Sequence, residues 1–178
     1  MICGGLYGDK MQGVSYPFFK KEICEYLKQI GNQNDIVLDI GAGAGIYADF
    51  LNKYFIMEAV EIFLPNIEIN RLKEKYQEVY NQDIRDFVFN KKYKIIIMGD
   101  ILEHLSQEDS LNILQKCKEN CEYLMVAIPY NYKQGILYGN KSEIHIQDDL
   151  TDEIFNSRYP GFNKIYGNEK YGYYIIKT

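Results

Sequence analysis

The sequence predicts an α/β fold: a doubly wound, mainly parallel sheet of seven strands with an antiparallel last strand and helices on both faces. Three observations predict it. Apolar, often β-branched runs alternate with runs of helical period along the chain, as repeated strand–helix units do. Two apolar runs, "YKIIIMGD" at 93–100 and "EYLMVAIP" at 122–129, are nearly continuous, as strands buried on both faces require. The last two strand-like runs, at 162–167 and 171–177, are close enough in sequence for a hairpin, which reverses the final strand. With 178 residues, 47% hydrophobic and 25% charged, the chain suits one globular domain over residues 1–178.

The elements follow in order. Tyr16-Pro17 opens a helix with Phe19, Ile23, Leu27 and Ile30 on its apolar face, and Gly31 closes it. Ile36–Ile40 is a β-branched strand. Residues 45–54 carry Tyr47, Phe50, Leu51 and Tyr54 at helical spacing, and 55–62 is a second strand. Asn66 is placed to cap a helix to about Tyr76, with Ile69, Leu72 and Tyr76 inward. A weaker third strand spans 78–84, and 93–100 is the fourth. Ser106 with Asp109 resembles a capping box, opening a helix to about Asn120. After the fifth strand at 122–129 comes a polar stretch, 130–150. It is too long for a simple connection, and such loops are commonly functional. Thr151 caps a short helix to about Ser157, and the hairpin ends the fold.

Composition excludes several classes. The net charge is −5 with no block of Lys or Arg, so no nucleic-acid surface is expected. No apolar run approaches the roughly 20 residues of a membrane span. The start "MICGGLYGDKMQG" lacks a basic segment followed by an apolar one, so no signal peptide and a cytoplasmic location are expected. Cys3, Cys24, Cys117 and Cys121 form no CxxC pair, which favours reduced, packed thiols over a zinc site. Nothing in the pattern fixes the oligomeric state.

One stretch carries the chemistry. In "IVLDIGAGAGIYADFL", Gly41, Gly43 and Gly45 stand between the first strand and a helix. Glycine costs backbone entropy, so three in five residues imply a required shape or a close neighbour, ligand or backbone. In a doubly wound sheet, ligands bind outside the carboxyl ends of the strands, where this loop falls. A dinucleotide fingerprint would need glycine at position 46, which is Ile46, so that reading fails.

With Asp39 before it, "VLDIGAGAG" closely resembles the first motif of class I S-adenosylmethionine-dependent methyltransferases. The resemblance covers about residues 17–128 and 151–178 and implies a Rossmann-like fold of this class. It implies that Asp39 helps to hold the methionine end of the cofactor, while Gly41, Gly43 and Gly45 leave room for its carboxylate and ribose. Glu61, at the end of the second strand, matches the acid that accepts the ribose hydroxyls. Asp83, with Ile84 beside it, matches the adenine end, and Asp86 competes for that role. Asp100 in "MGDILEHL" matches the acidic position of the fourth motif. Each acid also has a plain reading: a loop cap, a strand-end charge, a turn residue, a helix-start carboxylate.

The implied activity is methyl transfer from S-adenosylmethionine to a small-molecule acceptor, with a hydroxyl of a sugar or other metabolite as the expected group. A hydroxyl must lose a proton, so a base is sought. The chain has two histidines, His104 after the fourth strand and His145 in the long loop, and both are candidates for this catalytic role. Glu103-His104 has the look of half a metal site, but spacing identifies no further ligand, so no metal is expected. Tyr7, Tyr16, Tyr130 and Tyr132 lie on segments that can cover the site, namely 1–16 and 130–150. Two alternatives stay open: a non-catalytic cofactor-binding or protein-interaction module, and another enzyme of this fold such as an aminopropyl transferase.

Overall fold

A computed structural model describes residues 17–137 and 139–178. The segment 1–16, with Tyr7 and Tyr16 and their expected covering role, lies outside the described residues. Seven strands form one sheet: β1 (Ile36–Ile40), β2 (Ile56–Val60), β3 (Glu78–Tyr80), β4 (Tyr93–Gly99), β5 (Cys121–Pro129), β6 (Asn163–Gly167) and β7 (Tyr171–Lys177). Their order is β3-β2-β1-β4-β5-β7-β6. β7 is antiparallel to both β5 and β6, and the pairings from β3 through β5 are parallel. The fold class read from the sequence is therefore the one observed.

Strand residues serve two cores. In β4, Ile95 and Ile97 face one apolar layer while Ile96 and Met98 face the other. That alternation is why the run needs no polar positions. On one face lie α1 (Lys20–Ile30), α2 (Ile46–Leu51), α3 (Leu64–Ile69) and α4 (Leu72–Lys75), which contribute Leu27, Leu51, Ile67 and Leu72. On the other lie α5 (Gln107–Asn120) and α6 (Asp152–Arg158), which contribute Leu114 and Phe155. The expected caps form: Ser106 Oγ accepts from Asp109 N at 3.0 Å, and Thr151 Oγ1 accepts from Ile154 N at 3.1 Å.

Several local expectations are corrected. The helix at 66–76 is two short helices. Pro65 fits the first turn of α3, so that helix begins at Leu64, and Asn66 is buried inside it instead of capping it. Arg71 takes a left-handed φ of 53° and breaks the run before α4. The break turns Ile69 out to solvent, while Leu72 and Tyr76 stay inward. Phe50, expected inward, is also exposed, on the side of α2 away from the buried Tyr47, Ala48 and Leu51. The third strand ends at Tyr80 and is followed by a 3-10 turn at Ile84–Asp86. At the opposite edge, β6 carries a register shift between Lys164 and Tyr166. Among the described residues, no helix is long and apolar enough to cross a membrane.

The chain runs outward from β1 to β3, then crosses back to place β4 on the other side of β1. The carboxyl ends of β1 and β4 thus flank the switch point, where such sheets bind ligands.

Candidate active site

The glycine loop leaves β1 at this switch point. Gly41, Gly43 and Gly45 all have left-handed φ, at 71°, 51° and 72°, which side-chain-bearing residues rarely adopt. Two of the three also have close protein neighbours. A Cβ on Gly41 would lie 1.9 Å from Ile101 Cδ1, and one on Gly45 would lie 2.9 Å from Leu72 Cδ2. Gly43 is held by polar contacts. Its N–H donates to Glu61 Oε2 at 2.8 Å, and its carbonyl accepts from Asn70 Nδ2 at 3.0 Å.

Glu61 follows β2 and is buried. Besides Gly43, Phe63 N donates to its Oε1 at 2.8 Å. Asn66 also hydrogen-bonds this carboxylate, which explains why an asparagine sits inside α3. Burial raises the Glu61 pKa, and these bonds pull it back. The Ile62 N–H is a fourth partner, so the roughly four acceptor positions of this carboxylate are engaged, and a hydroxyl donor would share or displace one of them. Asp39 is buried near the end of β1 and accepts from Tyr76 Oη at 2.5 Å. Burial pushes its carboxyl up to about 7, while the Tyr76 bond and nearby Lys20 oppose the shift.

This raised value has a signed consequence. Below about pH 4, folded and unfolded chains both carry Asp39 protonated. Between about 4 and about 7 the unfolded chain ionises and the folded one does not. The unfolded state then binds fewer protons, so this group lowers stability as pH rises through that window. Asp39→Asn is expected to flatten the fall, measured as the difference in Tm between variant and parent from pH 4 to 8. A constant difference would mean Asp39 does not titrate there.

Asp83 accepts from Arg85 N at 2.9 Å and from the Arg85 guanidinium, which holds its carboxyl below the usual range. It caps the 3-10 turn that buries Ile84, and Asp86 is exposed. The structure thus gives Asp83 a local partner, and it places Asp83 after β3, two strands from β1 in the sheet.

Beyond β4 the chain turns through Asp100, whose φ is 58°. A non-glycine residue in that region is strained, and such strain concentrates at functional sites. Tyr171 Oη donates to Asp100 Oδ1 at 2.5 Å. A 3-10 turn at Leu102–His104 follows, and the long loop docks on it. Ile146 N and Gln147 N donate to the Glu103 carbonyl at 2.7 and 3.0 Å. Gln147 Nε2 donates to the carbonyls of Leu102 and Leu105 and to Ser110 Oγ. This clamp brings His145 against His104, with ring centroids 4.6 Å apart, edge to face. Tyr132 packs edge-on to His145 at 5.4 Å, while Tyr130 turns away to bond Tyr174 Oη. Burial and the neighbouring His145 push the His104 imidazole down to about 4, and burial also lowers His145. Both rings are therefore neutral at pH 7.

One residue of this region went unflagged in the sequence, and a second was flagged only as half of a metal site. Lys20 is buried, donates to Tyr47 Oη at 2.9 Å and lies 4.2 Å from that ring's centroid. It feels the charges of Asp100, Asp39 and Glu103, yet burial lowers its pKa. The signal was available: Lys20 shares the buried face of α1 with Ile23, Cys24 and Leu27, where a lysine is out of place. Glu103 is the second, a carboxylate between the buried Leu102 and Leu105.

Two buried acids, a left-handed glycine turn and the buried Asn66 Oδ1, which has no hydrogen-bond partner among the described residues, meet at one switch point. They fit a ligand that is cationic at one end and rich in hydroxyls. Fold and loop together define a class I S-adenosylmethionine-dependent methyltransferase domain. A family model described as a methyltransferase domain matches residues 16–146, and the chain belongs to that family. It is similar to an S-adenosylmethionine-dependent methyltransferase from Clostridium acetobutylicum ATCC 824, with 13% identity, 92% of each chain covered and a TM-score of 0.68. The N-methyltransferase NodS from Bradyrhizobium japonicum WM9 shares the fold at 11% identity, covering 93% of this chain and 99% of that one, with a TM-score of 0.63. A curated relative, alpha N-terminal protein methyltransferase 1 from Dictyostelium discoideum, is 29% identical over 94 residues. That match spans 48% of this chain and 35% of the relative.

Glu61→Ala is expected to weaken S-adenosylmethionine binding by about 1–3 kcal/mol, because it removes a charged acceptor and frees the Gly43 and Phe63 N–H groups. Calorimetry reads this directly, and unchanged affinity would take Glu61 out of the site.

Proposed function

We propose that this chain methylates a hydroxyl of a small molecule, a sugar or other metabolite, with S-adenosylmethionine as donor. When bound, the cofactor supplies a methyl group already activated by a cationic sulfur. The chain's own residues have three tasks. Asp39, Gly41, Gly43, Gly45 and Glu61 hold the methionine and ribose parts, and Asp83 and Ile84 serve the adenine end. Asp100 orients the groups around the methyl position. His145 and His104 act on the acceptor, whose proton must leave as it is methylated.

The observation that carries this reading is the meeting of the two histidines. They are 41 positions apart in sequence, yet their neutral rings touch beside the carboxyl end of β4. Nδ1 of each ring contacts a backbone carbonyl, which leaves Nε2 free of the proton and able to accept one.

A second reading takes an amine as acceptor. NodS carries N-methylation in its name, and the curated relative's name places its target at the alpha N-terminus of a protein, which supports it. One assay separates these readings. The protein is incubated with methyl-labelled donor and pooled acceptors bearing hydroxyls or amines, and products are identified by mass spectrometry. O-methyl products support the proposal, N-methyl products support the second reading, and cofactor binding without any product supports a non-catalytic module.

A further inference from the structure

Glu103 is buried, 1% exposed, and among the described residues no other residue donates a hydrogen bond to either of its carboxylate oxygens. Its own backbone N–H is the one hydrogen-bond donor among the described residues that favours its charge. A protonated Glu103 would relieve the charge but would then need an acceptor for its O–H, and neither oxygen has a partner of either kind. A buried carboxylate without a partner is costly enough to require one.

The partner's place is marked by two other side chains. Ligand atoms of Glu103, His104 and His145 all lie within 4.8 Å of one another. His104 Nδ1 is 3.3 Å from the Ile144 carbonyl, and His145 Nδ1 is 2.6 Å from the Tyr132 carbonyl. A carbonyl only accepts, so the hydrogen sits on Nδ1 in both rings and the Nε2 lone pairs are available. Metal-binding histidines are oriented in this way, with the second nitrogen donating to a backbone carbonyl. Asp100 and Glu143 add negative charge that Glu103 feels, with Lys20 opposing, and Lys20 spends its contact on Tyr47.

We infer that Glu103, His104 and His145 form a divalent transition-metal site at the carboxyl end of β4. Bonds of about 2.0–2.2 Å to such an ion place donors roughly 3–4 Å apart, so a small inward shift of three side chains completes the set. Two imidazoles and one carboxylate suit Mn²⁺, Fe²⁺, Co²⁺ or Zn²⁺ better than Ca²⁺ or Mg²⁺. Three protein ligands also leave positions open. The site itself stands on the cluster alone, and its use rests on the hydroxyl reading above. There, an acceptor oxygen at an open position would be oriented and would give its proton to solvent more readily. The half-site read from "LEHL" lacked a third ligand, and the loop clamp supplies His145.

The test uses the chain treated with chelator and dialysed, and then titrated with Co²⁺ alone. One ion per chain is expected, with visible absorption bands of a bound site and a higher Tm. Glu103→Gln and His145→Ala should each weaken binding at least tenfold. Glu103→Gln is nearly isosteric and removes a buried charge, so it should remain folded, with circular dichroism and S-adenosylmethionine affinity as checks. Absent Co²⁺ bands, or bands and stoichiometry that survive both substitutions, would overturn the site. The acceptor reading fails separately: an ion that binds as described in a protein that methylates no hydroxyl leaves the site standing. Full hydroxyl methylation in excess chelator, lost in His145→Ala, would return His145 to the role of direct base and remove the metal.

Discussion

His145→Ala is expected to lower kcat by about 10²–10⁴-fold, the cost of losing help with the acceptor's proton, whether His145 takes it directly or holds the inferred ion that eases its loss, with little change in S-adenosylmethionine affinity. The separation follows from position. His145 lies on the loop clamped on Glu103, whereas Asp39 and Glu61, the acids proposed to hold the cofactor, stand at the ends of β1 and β2. The substitution also removes an edge contact with His104 and a bond to the Tyr132 carbonyl, but the Gln147 contacts that hold the loop remain. Single-turnover rates and calorimetry on one preparation check both halves. A variant with kcat within threefold of the parent would show that His145 does not act on the acceptor. If His104→Ala loses kcat and His145→Ala does not, the roles of the two are exchanged.

Gly43→Val is expected to weaken cofactor binding by at least about 100-fold, roughly 2.7 kcal/mol, in a protein that still folds. Gly43 has a φ of 51°, where a β-branched residue is strained. Its backbone N–H and carbonyl are both committed, to Glu61 and Asn70, so relaxing the strain by rotating the peptide would break those bonds. Gly41 and Gly45 have protein reasons to be glycine, through Ile101 and Leu72. Gly43 is the position where the ligand reading is most exposed to test. Gly43→Ala serves as the milder partner, with the same left-handed strain and a smaller side chain. Circular dichroism establishes the fold and equilibrium dialysis the affinity. Normal binding by the valine variant would make the whole loop a packing turn.

The sheet was legible because its strands have no other physical reading. Residues such as Ile95, Ile96 and Ile97 fill both cores, and a run of that kind can hide its backbone only in the middle of a sheet. Helices on the rim were harder. Pro65 and Arg71 set the ends of α3 by backbone geometry, and side-chain periodicity is blind to that, so Ile69 faces solvent where the pattern puts it inward, and Asn66 lies buried inside the helix where the pattern makes it a cap. Among the cofactor acids, spacing located Glu61 at the end of β2 but could not reveal that its oxygens also tie Gly43 and Phe63 in place. The approach of His145 to Glu103 was out of reach for a different reason. The long loop is steered by backbone carbonyls of Leu102, Glu103 and Leu105, and a carbonyl leaves no mark on the identity of the residue that carries it.

The outermost strands have a consequence for how copies of this protein meet. One rim of the sheet ends in β3, only three residues long and starting with the exposed Glu78. The other ends in β6, where the exposed Asn163 and Lys164 precede the register shift. A foreign strand approaching the first rim finds too few amides to zip onto, and at the second it meets a ladder that slips out of phase. Growth of the sheet from one molecule into the next is therefore disfavoured at both described borders, and both work against fibre-like association.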